Sequence, residues 1–268
     1  MLNFWATFKK NKQINKRAYP ISHIMGFMLN GITFILFPIF IYYYLFQGNV
    51  SDSFIEATHN SDYITYITKG VSISMLSVAT LFNCSRAFIT EIWEGTFDPF
   101  LMSPSPRIPY YFGVFVEQLS RASIGFLTSL VLGIAFGARF PLYNLHYYIF
   151  ILLLVLIASF SMAVSISTLM VYTRNTFITQ NTIFNTMFLI CGMLFPISYL
   201  PISLQYLSQI FPLTPALALM RSIPMLDLSN SGHMNLIVQL LVLSVLYFSI
   251  GHYLFIKLEK KLIENVLS

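Results

Sequence analysis

The feature that most constrains this chain is a set of apolar runs long enough to cross a lipid bilayer. Residues 24–46, 63–88, 110–137, 146–172 and 178–200 reach the roughly 20 apolar positions that a spanning helix needs, and residues 235–256 form a sixth run. Hydrocarbon offers no water to backbone amides, so such runs fold as helices. Only 9% of the 268 residues are charged and 56% are apolar, against about 25% charged in soluble domains. The fold class that follows is all-α and integral to a membrane, with six transmembrane helices. Tyr42, Tyr43, Tyr44, Tyr110, Tyr111, Tyr147 and Tyr148 fall at run ends, where aromatic side chains form interfacial belts or, as an alternative, a platform for stacking sugars.

Charge placement sets the direction of threading. Lys9, Lys10, Lys12, Lys16 and Arg17 precede the first run, and Lys257, Lys260 and Lys261, with Glu259 and Glu264, follow the last. Both ends therefore read as cytoplasmic, which requires an even number of crossings. Six spans also put Arg86, Arg107 and Arg174 inside. Asp52, Glu56, Asp62 and Asp227 then lie outside, with Lys69, Arg139 and Arg221 as the outer cations. The first 23 residues, with Leu2, Trp5 and Phe8 at helical spacing among lysines, read as an amphipathic helix in the cytoplasmic interface; the full-length run behind them is too long for the apolar core of a cleaved leader.

Residues 201–224 are apolar yet carry Pro201, Pro212 and Pro215, and Pro196 stands just before them. Proline removes an amide donor and breaks a straight span. The segment is expected to enter from the outer face and leave by it, as short helices over 203–210 and 215–223 turning at Phe211, Pro212 and their neighbours. Arg221 then snorkels to the outer surface or pairs with a carboxylate.

Between the second and third runs stands EIWEGTFDPFLMSPSPR, residues 91–107. Gly95 ends the preceding helix, Asp98 caps a new one, Pro99 suits its first turn, and Pro104 and Pro106 end it. The expected short helix bears Phe100, Leu101 and Met102 beside Glu91, Glu94 and Asp98, an apolar plug for a groove on a cytoplasmic protein.

Within the third run Glu117 and Arg121 are four residues apart, the favourable order for a helical ion pair, and such charges either mark a transport path or brace a partly cytosolic helix. Gly133 and Gly137 permit close helix contact within one subunit or between two. Cys84 and Cys191 stand alone as small apolar residues, and the five histidines show no ligand spacing, so no metal site is expected. Catalytic sets such as HExxH are absent, as is the GxxxxGK[ST] loop that cradles nucleotide phosphates, so the chain is neither an enzyme by these signs nor its own ATPase. Nucleic-acid binding is not indicated.

The EIWEGTFDPFLMSPSPR loop, and FPISYLP followed by LSQIFPLTP and Arg221, resemble the first cytoplasmic loop and C-terminal signature of type-2 ABC exporter permeases, the drug, peptide, polysaccharide and teichoic-acid exporters. Phe97, Asp98 and Pro99 depart from that family's usual residues after Gly-Thr. The resemblance implies a transport subunit powered by two copies of a separate subunit that binds ATP and Mg. It makes Glu91, Glu94, Gly95, Thr96, Asp98, Phe100, Leu101 and Met102 the coupling helix that meets that subunit. Pro196, Pro201, Phe211, Pro212 and Arg221, with Glu117 and Arg121, would then border the path or its gate, a second permease would complete it as a homodimer, and the cargo would be amphipathic or lipid-linked. An ion- or proton-coupled transporter is the alternative.

Overall fold

The computed structural model describes residues 2–18, 21–58, 61–102, 106–173, 176–223 and 231–267. Pro104, Arg174, Pro224 and Asp227 lie outside the described residues, as do the side chains of Leu2, Asp98, Lys261 and Glu264. All regular structure among them is helical: α1 (Leu2–Ala18), α2 (Ser22–Phe40), α3 (Asp52–Ala57), α4 (Tyr63–Ser85), α5 (Ala87–Trp93), α6 (Phe97–Met102), α7 (Arg107–Ala135), α8 (Leu145–Thr173), α9 (Thr176–Ile190), α10 (Ile202–Ser208), α11 (Leu213–Ser222) and α12 (Ser231–Leu267). Five helical stretches are long and apolar enough to cross a membrane: Ile24–Leu45, Tyr63–Trp93, Arg107–Ala135, Leu145–Thr173 and Ser231–Lys260. The expected fifth run is shorter than its hydropathy suggested. Its helix stops at Ile190, where Gly192 takes a left-handed φ of 75° that other residues adopt at a cost, and irregular chain follows to Pro196. In α2, Pro38 cannot donate within the ladder, and the next turn, Ile41–Leu45, loosens to a π-helix.

At the centre lies α4, with α2, α7, α8 and α11 packed around it. Its sequence is strewn with small polar residues because its neighbours come close. Ser72 and Ser77 share hydrogen bonds with Ser129 of α7 (3.0 Å) and Ser159 of α8 (2.6 Å), and Ser85 donates to the Ala163 carbonyl (3.2 Å). Lipid is as apolar as leucine, so helices in it associate through close contact and hydrogen bonds rather than through burial of grease. Gly133 of the GIAFG run serves this packing inside the chain: a Cβ there would lie 2.2 Å from Thr68 of α4. Gly137 instead ends α7 with φ 106° and faces open space. The outward faces of α7, α8 and α12 leave Val131, Leu153, Ile157 and Val245 exposed, as lipid-facing positions should be.

Three residues expected at the surface are inside. Lys69 is 5% exposed within α4, its ammonium 5.7 Å from the centre of the Tyr148 ring, so it is not an outer-loop cation. Tyr110 and Tyr111 are buried rather than belted, because both rings pack on Phe88 at 5.3 and 4.4 Å; Tyr43 and Tyr44 do remain exposed. Both cysteines are buried and free.

Gly70 marks an equally tight approach to α4, where an added Cβ would sit 2.2 Å from the Met193 carbonyl oxygen and 2.6 Å from the Arg221 guanidinium. Gly70→Ala is expected to destabilise the purified protein by about 1–3 kcal/mol. Gly26→Ala, with nothing within 4 Å, should leave the melting temperature unchanged or raise it. Thermal unfolding in neutral detergent checks both.

Candidate functional site

At one end of the bundle, α5 and α6 form an elbow hinged at Gly95, whose φ of 68° suits glycine alone. Glu91, on α5, turns inward and is 7% exposed by side chain. One carboxylate oxygen accepts from Lys10 of α1 at 2.7 Å and from the Tyr110 hydroxyl at 2.9 Å; the other accepts from the Thr96 hydroxyl. The far side of the elbow is tied by Arg107. Its guanidinium donates to the Phe100 and Leu101 carbonyls at 2.9 Å each, satisfying the open C-terminal end of α6, and pairs with Glu259 of α12 at 2.7 Å. It also lies over the Phe100 ring at 4.5 Å.

The expected apolar plug is therefore divided. Phe97 and Leu101 are buried and Phe100 half-buried, because α6 folds back onto Phe88 and Tyr110 instead of standing free. Glu91 faces the protein as well. Trp93, 66% exposed, and Met102, 56% exposed, carry the outward surface together with Glu94, Gly95 and Thr96. The apolar pattern alone could not separate these faces, since six residues make barely two turns of helix.

Above the elbow, Glu117 and Arg121 pair along α7 at 2.5 Å, with side-chain exposures of 2% and 12%. They lie inside the bundle, not on a solvated helix. Next to them a cavity of about 410 Å³ opens between α2, α4, α7 and α9, reaching from Ser22, Arg86 and Gln180 to Phe34 and Phe184. It is blind at the far end. There Phe34, Val71, Phe184, Phe188, Met193 and Leu194 enclose only about 10 Å³, room for at most about one water. Phe34 and Phe188 meet edge to face at 6.0 Å across this closure.

At the opposite end of the bundle, α10 and α11 form the expected pair of short helices, within one or two residues of the sequence reading. Pro201 and Pro212 occupy their N-cap positions and Pro215 lies in the first turn of α11, where a missing amide costs little. Phe211 lies half-buried in the turn between them. Pro196, buried, leads into a single 3-10 turn, Ile197–Tyr199. Arg221 does not snorkel, and among the described residues it meets no carboxylate: it donates to the Gly192 and Met193 carbonyls at 2.7 and 2.9 Å and lies 3.6 Å over the Tyr66 ring. The cation is held where the broken end of α9 leaves carbonyls without helical partners.

Sequence reasoning did not single out Lys10, Arg107, Tyr110 or Glu259 as site residues, nor Arg86 with Asn83. Lys10 and Glu91 are 81 positions apart and Arg107 and Glu259 are 152 apart, so no local spacing ties them. Glu259, an acid in a basic terminal segment, was the one available cue.

Among the described residues, all-helical structure with five helices of bilayer length marks a multi-pass membrane protein. The ABC-2 type transporter family model matches residues 3–225, and the chain belongs to that family. It is thus a membrane transport subunit, its family's ATPase resides on a separate subunit, and an ATP-binding partner is implied. A comparison with curated proteins found no match.

Because Glu91 is buried among three donors and Lys10 is 42% exposed, the two ends of this pair differ in cost. Glu91→Ala should destabilise the fold by about 1–3 kcal/mol and Lys10→Ala by less than about 1 kcal/mol, as read by thermal unfolding. Arg107→Ala is expected to speed chymotrypsin cleavage at Phe97 and Phe100 severalfold by freeing α6.

Proposed function

We propose that this chain is the permease half of an ATP-driven exporter, with α5 and α6 as the coupling element. The observation that carries the reading is the cavity, open toward one end of the bundle and sealed toward the other by Phe34, Phe188 and Leu194. Such a space is half of an alternating-access cycle. Cargo enters at the Arg86 end, and movement of the elbow opens the aromatic seal.

Six crossings account for the charges. Helix α9 has 15 residues and spans about 22 Å, short of the roughly 30 Å hydrocarbon core, and the irregular chain to Pro196 completes the crossing. Broken backbone is tolerated at that depth because Arg221 satisfies its carbonyls. Both termini then face the cytosol across a plasma membrane, α1 lies in the inner interface with Trp5 toward lipid, and the α10–α11 hairpin roofs the outer mouth. The chain acts as one permease domain throughout.

The coupling surface is Trp93, Glu94, Gly95, Thr96 and Met102, while Glu91, Phe100 and Leu101 hold it in place. Two copies of the ATPase, carrying ATP and Mg, dock there on a homodimer of permeases. Asn181, Thr182 and Asn185 of α9 are exposed polar side chains in an apolar bundle, which suits a face closed by a second copy rather than by lipid. An ion-coupled transporter is less well supported, since Glu117 is tied to Arg121.

Copurification with the product of a neighbouring ATPase gene, followed by ATP-dependent efflux from vesicles, tests the reading; transport driven by an ion gradient without ATP overturns it. Trp93→Ala combined with Met102→Asp should abolish ATPase copurification while leaving the melting temperature within about 2 °C. Impermeant thiol reagents should label Met102→Cys only from the cytosolic side and Ser203→Cys only from outside; Ser208 is buried and unsuitable.

A further inference from the structure

We infer that the blind cavity takes an amphiphile with an anionic head, and that Arg86 binds that head. The inference rests on reading the cavity as the inward-facing end of a transport path. At about 410 Å³ the space falls within the range of small-molecule sites, enough for a compact head and part of one chain but not for a folded peptide or a glycan polymer.

Its lining is graded along its length. The deep end is apolar and aromatic, with Phe34, Met75, Val78 and Phe184, and Phe27 and Asn30 stand between it and the mouth. The mouth is polar, with Ser22, Asn83 and Gln180 beside Phe82, and among the described residues Arg86 is the only charged side chain that lines the cavity. A tail placed deep gains from burial, and its head then falls at the level of Arg86.

The sign of the head follows from the charges at the mouth. None of the ion pairs among the described residues involves Arg86, whose guanidinium donates instead to Asn83 Oδ1. Arg121 lies close enough to repel it, and Arg121 is balanced by Glu117. The local sum of these three groups is one positive charge, with no carboxylate on the lining. The dipole at the C-terminus of α4 accounts for a cation at its cap, but not for one that borders a cavity while retaining donors for a ligand. A guanidinium in a site of reduced polarity favours a phosphate, sulfate or carboxylate head and disfavours a quaternary ammonium.

The test uses the full chain in phosphatidylcholine nanodiscs. Binding of radiolabelled dodecyl phosphate and of dodecyltrimethylammonium, equal in tail and opposite in head, is measured by equilibrium dialysis. The wild type is expected to prefer the phosphate by about tenfold or more. Arg86→Gln should lose that preference, Arg86→Lys should keep most of it, and Arg139→Gln, in an exposed loop, should keep it entirely. Equal binding of the two probes by the wild type overturns the inference, whether or not Arg86→Gln folds. So does an unchanged preference in an Arg86→Gln protein that melts like the wild type.

Competition by phosphatidylglycerol added to the discs assigns the head to a bilayer lipid, and lack of competition assigns it to an amphiphile arriving from the cytosol; both support the anionic head. Phosphate-selective binding with no ATP-dependent movement would leave this inference standing and defeat the transport reading. ATP-dependent export of the ammonium probe with no phosphate preference would do the reverse.

Discussion

A bundle in lipid cannot hold itself together by hiding apolar side chains, and the rest of this structure depends on how α4 meets that constraint. Its serines and threonines, and Gly70, let α7, α8 and α11 approach to within hydrogen-bond range of its surface. The same close packing leaves the weakly packed side to α2 and α9. The cavity therefore lies where α4 presents Met75, Val78 and Phe82 in place of the small residues.

The elbow at the other end of α4 follows a different logic. It is a short, sharply turned segment that could not hold its shape through its own helical bonds, since six or seven residues propagate too few of them. Two ion pairs supply what is missing, one from α1 and one from α12. Glu91 is the more consequential of the acids because three donors converge on it in a buried position, whereas the lysine that reaches it retains much of its solvent.

Much of the architecture was legible in the sequence because hydropathy and proline placement act locally. The five bilayer-length helices, the Gly95 elbow and the paired short helices around Pro212 all follow from residues within a few positions of one another. What hydropathy could not see was the end of α9: residues 191–200 are as apolar as the helix before them, yet Gly192 and Pro196 break it. Charge counting misplaced Lys69, because a cation tucked behind an aromatic ring looks in sequence like one in a loop. Arg221 was misread for a related reason: its partners lie 29 and 28 positions away and are backbone carbonyls, which leave no residue signature.

Arg107 grips both carbonyls at the end of α6 and the carboxylate of Glu259, and it heads α7. Three segments are thereby joined at a single planar group that is itself rigid. A displacement of the end of α6 would therefore be felt by the feet of α7 and α12 together.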